Sequence, residues 1–232
     1  MGRYKLKTVI YIPARSGSKR IKNKNFKIFF GKPLIFWTIE FALKLKDIEK
    51  IIISTDSNKW GNIIKKKFLK KDSIIDVSIR PSHLSKDKSN IIDAIKYDIK
   101  KVDQKLNILL LQPTSPFRSY SKIINAIEYY RKNKISSLAS FQCFNNDKNI
   151  FIVNNNKLYK EKKYYIANGN FYLISYKKLL ELKTFISKET KLIITNNVYE
   201  NIDIDYDYQW KAAELIVENK NLPAHILNRF RF

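Results

Sequence analysis

Short apolar runs alternate along this chain with stretches in which apolar side chains return every three or four positions. The runs predict strands at Thr8–Ile12, Ile51–Ser54, Asp76–Ile79, Ile108–Leu111, Ser137–Phe141, Phe171–Ile174 and Leu192–Thr195. The intervening stretches predict helices at Pro33–Lys46, Lys59–Lys70, Asn90–Lys101, Lys122–Lys132, Tyr176–Leu182 and Tyr208–Asn219. Strand and helix in alternation is the mark of βαβ units built around a mainly parallel sheet. Pro33 suits a first helical turn, where its missing N–H is not needed. Ile123, Ile127 and Tyr130 share one face of the fourth helix, with Ser121 as its expected cap. Trp37, Trp60 and Trp210 fall on helical faces and are expected in the core. The rhythm breaks between Phe144 and Ile166, rich in Asn and Lys with two short apolar patches, which predicts a small protruding hairpin arm at about 144–167.

Composition narrows the class. The chain has 232 residues, 44% of them hydrophobic, with 14 Phe and 14 Tyr. That is enough to build one packed α/β domain over residues 1–232. Cys143 is the only cysteine, so neither a disulfide framework nor a zinc-finger cluster can form within one chain. No apolar run approaches the length of a membrane span, and MGRYKLK lacks the apolar core of a signal peptide. A cytoplasmic enzyme without a membrane partner is the expectation. The net charge of +24 changes this picture less than its size suggests. Lysines are spread over every segment (Lys65 to Lys67, Lys100 and Lys101, Lys162 and Lys163) and accompany heavy use of Asn, Ile, Phe and Tyr, all residues with A/T-rich codons. Such a bias makes a solvated surface basic without a nucleic-acid footprint, in which lysines and aromatics would interleave on one motif. No specific nucleic acid is expected, although a positive field would help gather anionic substrates.

Candidate chemistry begins directly after the first strand. Thr8–Ile12 stops at Pro13 and Ala14 and opens into a loop carrying Arg15, Ser16, Gly17, Ser18, Lys19, Arg20, Lys22 and Lys24, closed by Asn25. A strand ending in a small cationic loop presents amides and charges to phosphate groups. Loops in this position lie at the carboxyl edge of the sheet, where ligands of such folds bind. Gly17 is the only glycine of the loop, so the dinucleotide pattern G-x-G-x-x-G is absent. The pattern G-x-x-x-x-G-K-[ST] is absent as well, which counts against a P-loop kinase or ATPase. A phosphate loop that relies on Arg and Lys with one glycine points to a nucleotidyltransferase.

IPARSGSKRIKNKN followed by GKPLIFWTIEFAL resembles the opening of the CMP-sialic acid synthetases, the acylneuraminate cytidylyltransferases. Further matches follow in family order: STDS at Ser54–Ser57, RPSHLSKDKS at Arg80–Ser89, LLQPTSPFR at Leu110–Arg118, NGNFY at Asn168–Tyr172, and NIDIDYDYQWKAAE at Asn201–Glu214. Together they span about Val9 to Glu214. The resemblance implies a Rossmann-like nucleotidyltransferase fold and a reaction that joins the anomeric hydroxyl of a nine-carbon keto-sugar acid to the α-phosphorus of CTP, expelling pyrophosphate. It implies that Arg15, Lys19 and Lys24 neutralise the triphosphate, helped by the amides around Ser16–Ser18 and the amide of Asn25. Arg80 and Ser89 would lie near the cytidine. Gln112, Thr114, Ser115 and Asn168 would face the sugar, and the arm would join two copies into a homodimer.

Asp203 and Asp205 stand two residues apart, so on an extended segment both carboxylates project from one side. That spacing suits two oxygen ligands for Mg2+, which would also hold triphosphate oxygens. Asp207, at the expected start of the last helix, is assigned to capping. Arg15, Lys24 and Asp205 are the catalytic candidates, with Asp205 or a metal-bound hydroxide as the open choice of base. The chain departs from the family at several points. Arg20 replaces a common glycine, Gln209 replaces a common acid, and the segment before Asn168 carries lysines where arginines are usual. N-acetylneuraminate is the first-choice acceptor. Legionaminate, pseudaminate and Kdo are the alternatives, and SKRIKNKN resembles pseudaminate-type openings.

Overall fold

The computed structural model describes residues 7–70, 73–99, 105–133, 135–145, 152–154, 157–159, 163–195, 197–219 and 222–230. In chain order the first half holds β1 (Lys7–Pro13), β2 (Ile28–Phe29), β3 (Lys32–Pro33), α1 (Leu34–Ala42), β4 (Lys50–Thr55), α2 (Asn58–Phe68), β5 (Ile75–Ile79), α3 (Ile91–Ile99) and β6 (Leu106–Leu110). The second half holds α4 (Tyr120–Asn133), β7 (Ser137–Asn145), β8 (Ile152–Asn154), β9 (Lys157–Tyr159), β10 (Lys163–Ser175), α5 (Tyr176–Leu182), β11 (Lys191–Ile194), α6 (Asp207–Glu218) and α7 (Ala224–Leu227).

Seven strands form one sheet in the order β11-β7-β10-β6-β1-β4-β5. β6, β1, β4 and β5 run parallel, β10 runs antiparallel to both β6 and β7, and β11 is parallel to β7. From β1 the chain steps outward to β4 and β5, then returns to place β6 on the other side of β1. That reversal opens a crevice above the carboxyl ends of β1 and β6, the usual ligand position in open α/β sheets.

Helices on both faces explain the unbroken apolar runs. On β1, Ile10 and Ile12 join one core layer with Phe36 and Ile39 of α1 and Ile123 and Ile127 of α4. Val9 and Tyr11 join the opposite layer with Ile92 and Ile95 of α3 and Leu179 of α5. Each such side chain, fully buried, contributes about 1.5–3 kcal/mol. A third cluster gathers Phe29, Trp37, Phe117, Trp210 and Phe230 and anchors α6 and α7 beside the sheet.

Several boundaries differ from expectation for local reasons. The first helix ends at Ala42, because the amides of Lys44 and Leu45 bond carbonyls three residues back and tighten the final turn. Pro33 is the N-cap of α1 rather than its first helical residue. Ser119, not Ser121, caps α4, its Oγ accepting from the Lys122 amide at 3.4 Å. The hairpin of β2 and β3 is absent from the sequence expectation; Phe30 and Gly31 both take positive φ there, the type I′ pattern of a two-residue turn.

β7 and β10 continue outward beyond the core, so the base of the expected arm is a prolongation of two central strands. β8 and β9 pair as a separate hairpin. The rest of the arm, 146–151, 155–156 and 160–162, lies outside the described residues, as do Lys100 and Lys101 of the expected third helix. Among the described residues no helix is long and apolar enough to cross a membrane.

Candidate active site

A cleft of about 600 Å³ opens at the crevice above β1 and β6. One wall is the loop that follows β1. Asn25 is buried and its side chain donates to the Arg15 carbonyl at 3.0 Å, which closes the loop on itself. Asp56, from STDS after β4, accepts the Ser16 amide at 2.7 Å and ties the loop to the neighbouring strand. The Ser18 amide donates to the Ser16 carbonyl. Two of the amides expected to face phosphate are therefore engaged within the protein. Arg15, Ser18, Lys19, Lys24 and Asn25 all line the cleft.

The opposite rim is the segment after β5. Arg80 is buried and its Nε donates to Ser85 Oγ at 2.9 Å. Ser89 Oγ donates to the His83 carbonyl at 2.7 Å. Arg80 and Ser89 both line the cleft. Asp87 reaches across it, 2.7 Å from Arg15 Nη1 and 2.6 Å from Lys19 Nζ. Bonding from Lys19 and then Arg15 lowers the Asp87 pKa.

The floor is made where β6 ends and the 203–205 segment crosses it. Ile204 is fully buried in the third cluster, and its amide donates to the Thr114 carbonyl at 2.8 Å. With Ile204 turned into the core, Asp203 and Asp205 both line the cleft, as their spacing required. Asp205 Oδ1 lies 2.5 Å from Lys24 Nζ and its Oδ2 lies 3.5 Å from Arg20 Nη1. Asp203 is more enclosed. Burial raises its pKa, a bond from Thr114 opposes the shift, and the charge of Asp205 reinforces it. Asp203 Oδ1 is buried without a hydrogen-bond partner. A buried, unpaired carboxylate oxygen beside a second carboxylate fits a hard divalent cation that keeps water and phosphate oxygens as its other ligands.

Gln112 and Thr114 line this floor too. Gly169 presses against it with φ +73°; a Cβ there would stand 2.7 Å from Gln112 Oε1 and 3.0 Å from Asp203 Oδ2. The positive φ favours glycine here, and a Cβ would in addition push aside the ends of the Gln112 and Asp203 side chains. It sits in a register shift of β10 between Ala167 and Tyr172.

Two of the expected sugar-side residues are elsewhere. Ser115 is buried and is not part of the cleft lining. The Asn168 side chain turns inward, donating to Thr195 Oγ1 at 2.5 Å and Asn201 Oδ1 at 2.6 Å and accepting from Ser140 Oγ at 2.6 Å. Its polar atoms are spent holding the strand that carries Gly169.

The structure also gives contacts to residues for which the sequence offers no role. Arg118 is wholly buried beneath the floor, donating to the Asn170 carbonyl at 2.7 Å, to Thr38 Oγ1 at 3.2 Å and to the Gln112 carbonyl. Burial, then repulsion from Arg229, presses its pKa down to about 9. Its place in LLQPTSPFR is a signal, but nothing in that motif shows that it points inward. Gln209 Oε1 accepts the amides of Asp205 and Tyr206 at 2.7 and 2.8 Å. The N-terminus of α6 is thus closed by Gln209, and Asp207 is an exposed acid in the first turn rather than a cap. Arg20 lies 4.4 Å above the Tyr206 ring.

A family model described as Cytidylyltransferase matches residues 9–222. A CMP-N,N'-diacetyllegionaminic acid synthase of Legionella pneumophila is 32% identical over 92% of this chain and 97% of its own length. An N-acylneuraminate cytidylyltransferase of Escherichia coli is 30% identical over 93% of this chain but only 53% of its own, so the chain spans about half the length of that relative. A solved structure of CMP:2-keto-3-deoxy-manno-octonic acid synthetase complexed with CTP shares the fold, with TM-score 0.65 at 14% identity over 92% of this chain and 99% of that one. The Rossmann-like nucleotidyltransferase architecture agrees with the sequence expectation.

Proposed function

The chain belongs to the cytidylyltransferase family and is a nucleotidyltransferase, and from that premise we propose that it transfers CMP from CTP to the anomeric hydroxyl of a nonulosonic acid. In this reaction the hydroxyl oxygen bonds the α-phosphorus, the α–β bridging oxygen leaves with pyrophosphate, and the hydroxyl proton is shed. The observation that carries the reading is one cleft lined by Arg15, Lys19 and Lys24 on its loop wall and by Asp203, Asp205 and Gln112 on its floor. Triphosphate oxygens take the place of Asp87 on Arg15 and Lys19, so one grip serves an internal acid and the substrate in turn. Asp203 and Asp205 would hold Mg2+, which when bound would supply neutralisation of charge on the triphosphate and the departing pyrophosphate. Lys24, paired with Asp205 Oδ1, adds its positive charge beside the same phosphates, where charge accumulates as the bond breaks. Arg80 and Ser89 orient the cytidine, while Gln112 and Thr114 meet the sugar. Residues 1–232 act as one catalytic domain in the cytoplasm. The outward ribbon of β7 and β10, with Tyr165 and Ile166 exposed, joins two copies into a homodimer.

N-acetylneuraminate is retained as acceptor. Legionaminate is the second reading, favoured by the match to nearly the whole length of the Legionella pneumophila protein. Incubation with CTP, Mg2+ and a panel of neuraminate, legionaminate, pseudaminate and Kdo, read as pyrophosphate release, tests both. Release with neuraminate is expected. Release only with another acid corrects the acceptor, and none with any acid rejects the reaction.

A further inference from the structure

Arg20 has no part in the reaction so described, yet it stands at the centre of the cleft's charge pattern. It lines the cleft, reaches Asp205 Oδ2 at 3.5 Å, and lays its guanidinium 4.4 Å over the ring of Tyr206, the next residue in the chain after Asp205. Asp205 thus has one cation on each carboxylate oxygen. The two contacts are unequal. Lys24 is short at 2.5 Å and its side chain is 13% exposed, whereas the Arg20 contact is at the limit of hydrogen bonding and its side chain is 56% exposed. The Asp205 amide is fixed separately by Gln209, so the carboxylate does not depend on Arg20 for its position.

We propose that Arg20 is the exchangeable counter-ion of Asp205, giving up the carboxylate to the divalent cation and turning its guanidinium to the triphosphate. The proposal rests on the metal and nucleotide assignments made above. A divalent ion at Asp205 needs one of its oxygens, and the long, exposed contact is the one that yields. Released from Asp205, the guanidinium is still held at the mouth by the Tyr206 ring, a cation–π contact that does not compete with phosphate. Its planar fork matches phosphate oxygens in two-point contact, which an ammonium cannot provide. A merely structural Arg20, needed to orient Asp205, predicts the opposite metal response, because its loss would weaken metal binding.

The test uses the full chain as wild type, Arg20→Ala and Arg20→Lys. Mn2+ binding without nucleotide is followed by electron paramagnetic resonance, and CTP binding without metal by calorimetry. Arg20→Ala is expected to bind Mn2+ about two- to fivefold tighter, the size of a part-exposed charge pair. It is expected to bind CTP about two- to fivefold more weakly. Arg20→Lys, which keeps the charge, is expected to return Mn2+ affinity to the wild-type value. Unchanged or weaker Mn2+ binding in Arg20→Ala, or no return in Arg20→Lys, overturns the proposal while leaving the cleft's assignment intact. Wild-type protein that binds neither Mn2+ nor CTP overturns the assignment and the proposal together.

Discussion

The two sides of the cleft are held by opposite kinds of interaction. On the side proposed for the nucleotide the exposed cations rest on ion pairs open to water: Arg15 and Lys19 on Asp87, Arg20 on Asp205. The side proposed for the sugar rests on hydrogen bonds removed from water, with Arg118, Asn168, Asn170 and Ser140 all buried and mutually connected through the Gly169 strand. Exposed pairs contribute little to stability, commonly below about 1 kcal/mol, so they can be broken and remade during turnover. Buried polar groups left without a partner cost about 1–3 kcal/mol each, so that wall stays fixed. Charge that must be handed to a substrate sits in water, and shape that must not change sits beneath it.

Asp203 lies where the two sides meet, and altering it breaks the comparison most severely. Asp203→Asn is expected to lower turnover by about a hundred- to a thousandfold, since the proposed site for Mg2+ would lose one of its two carboxylates. Stability is expected to move the other way. Burial raises the Asp203 pKa, so the fold binds this proton more tightly than the unfolded chain does, and its ionisation opposes folding by an amount that grows from the ordinary carboxylate pKa up to the raised one and stays constant above it. Asparagine removes that opposition, so thermal melting without metal at neutral pH should occur at an equal or higher temperature than in wild type. A clear fall in Tm, or near-normal turnover, contradicts the assignment.

Arg118 tests the buried side directly. Arg118→Met relieves the buried charge but takes the guanidinium donor from the Asn170 carbonyl and the Thr38 hydroxyl at a depth water does not reach, and leaves the Gln112 carbonyl with only the Ser115 amide at 3.3 Å. The unpaired acceptors outweigh the relief, and a loss of about 3 kcal/mol is expected in urea unfolding. A loss below about 1 kcal/mol would place this wall in the same class as the exposed one.

The smallest effect belongs to the rim. Asp87→Asn removes the acid shared by Arg15 and Lys19, and its urea-unfolding midpoint is expected to match that of wild type. CTP should bind about two- to fivefold tighter, because the two cations no longer serve an internal acid. Weaker CTP binding measured by calorimetry would show Asp87 to be part of the nucleotide's own contacts.

Much of the fold and of the cleft is legible in the amino-acid sequence. Residue type and position mark the β1 loop, the Asp203–Asp205 spacing and the turn after β6, and the side chains expected there, from Arg15 and Lys24 to Gln112 and Asp205, line one cleft. Ser115 and Asn168 are the exceptions, because a polar side chain near a site reads the same in sequence whether it faces the ligand or braces the wall behind it. Gln209 looks in sequence like a tolerated replacement of an acid, yet it holds the Asp205 backbone. Arg20 acquires a role only in the fold, which brings Tyr206 and Asp205 to it, the latter from 185 residues away in the chain.

What the sequence determined by itself was what local periodicity and residue chemistry can encode: buried strands capped by helices, a cationic loop at a strand's end, two carboxylates forced to one side by an extended backbone. Only the tertiary structure decided which charges meet and which polar groups are used up. Both depend on contacts between distant segments, where the direction of a side chain is set by what packs around it rather than by its neighbours in the chain.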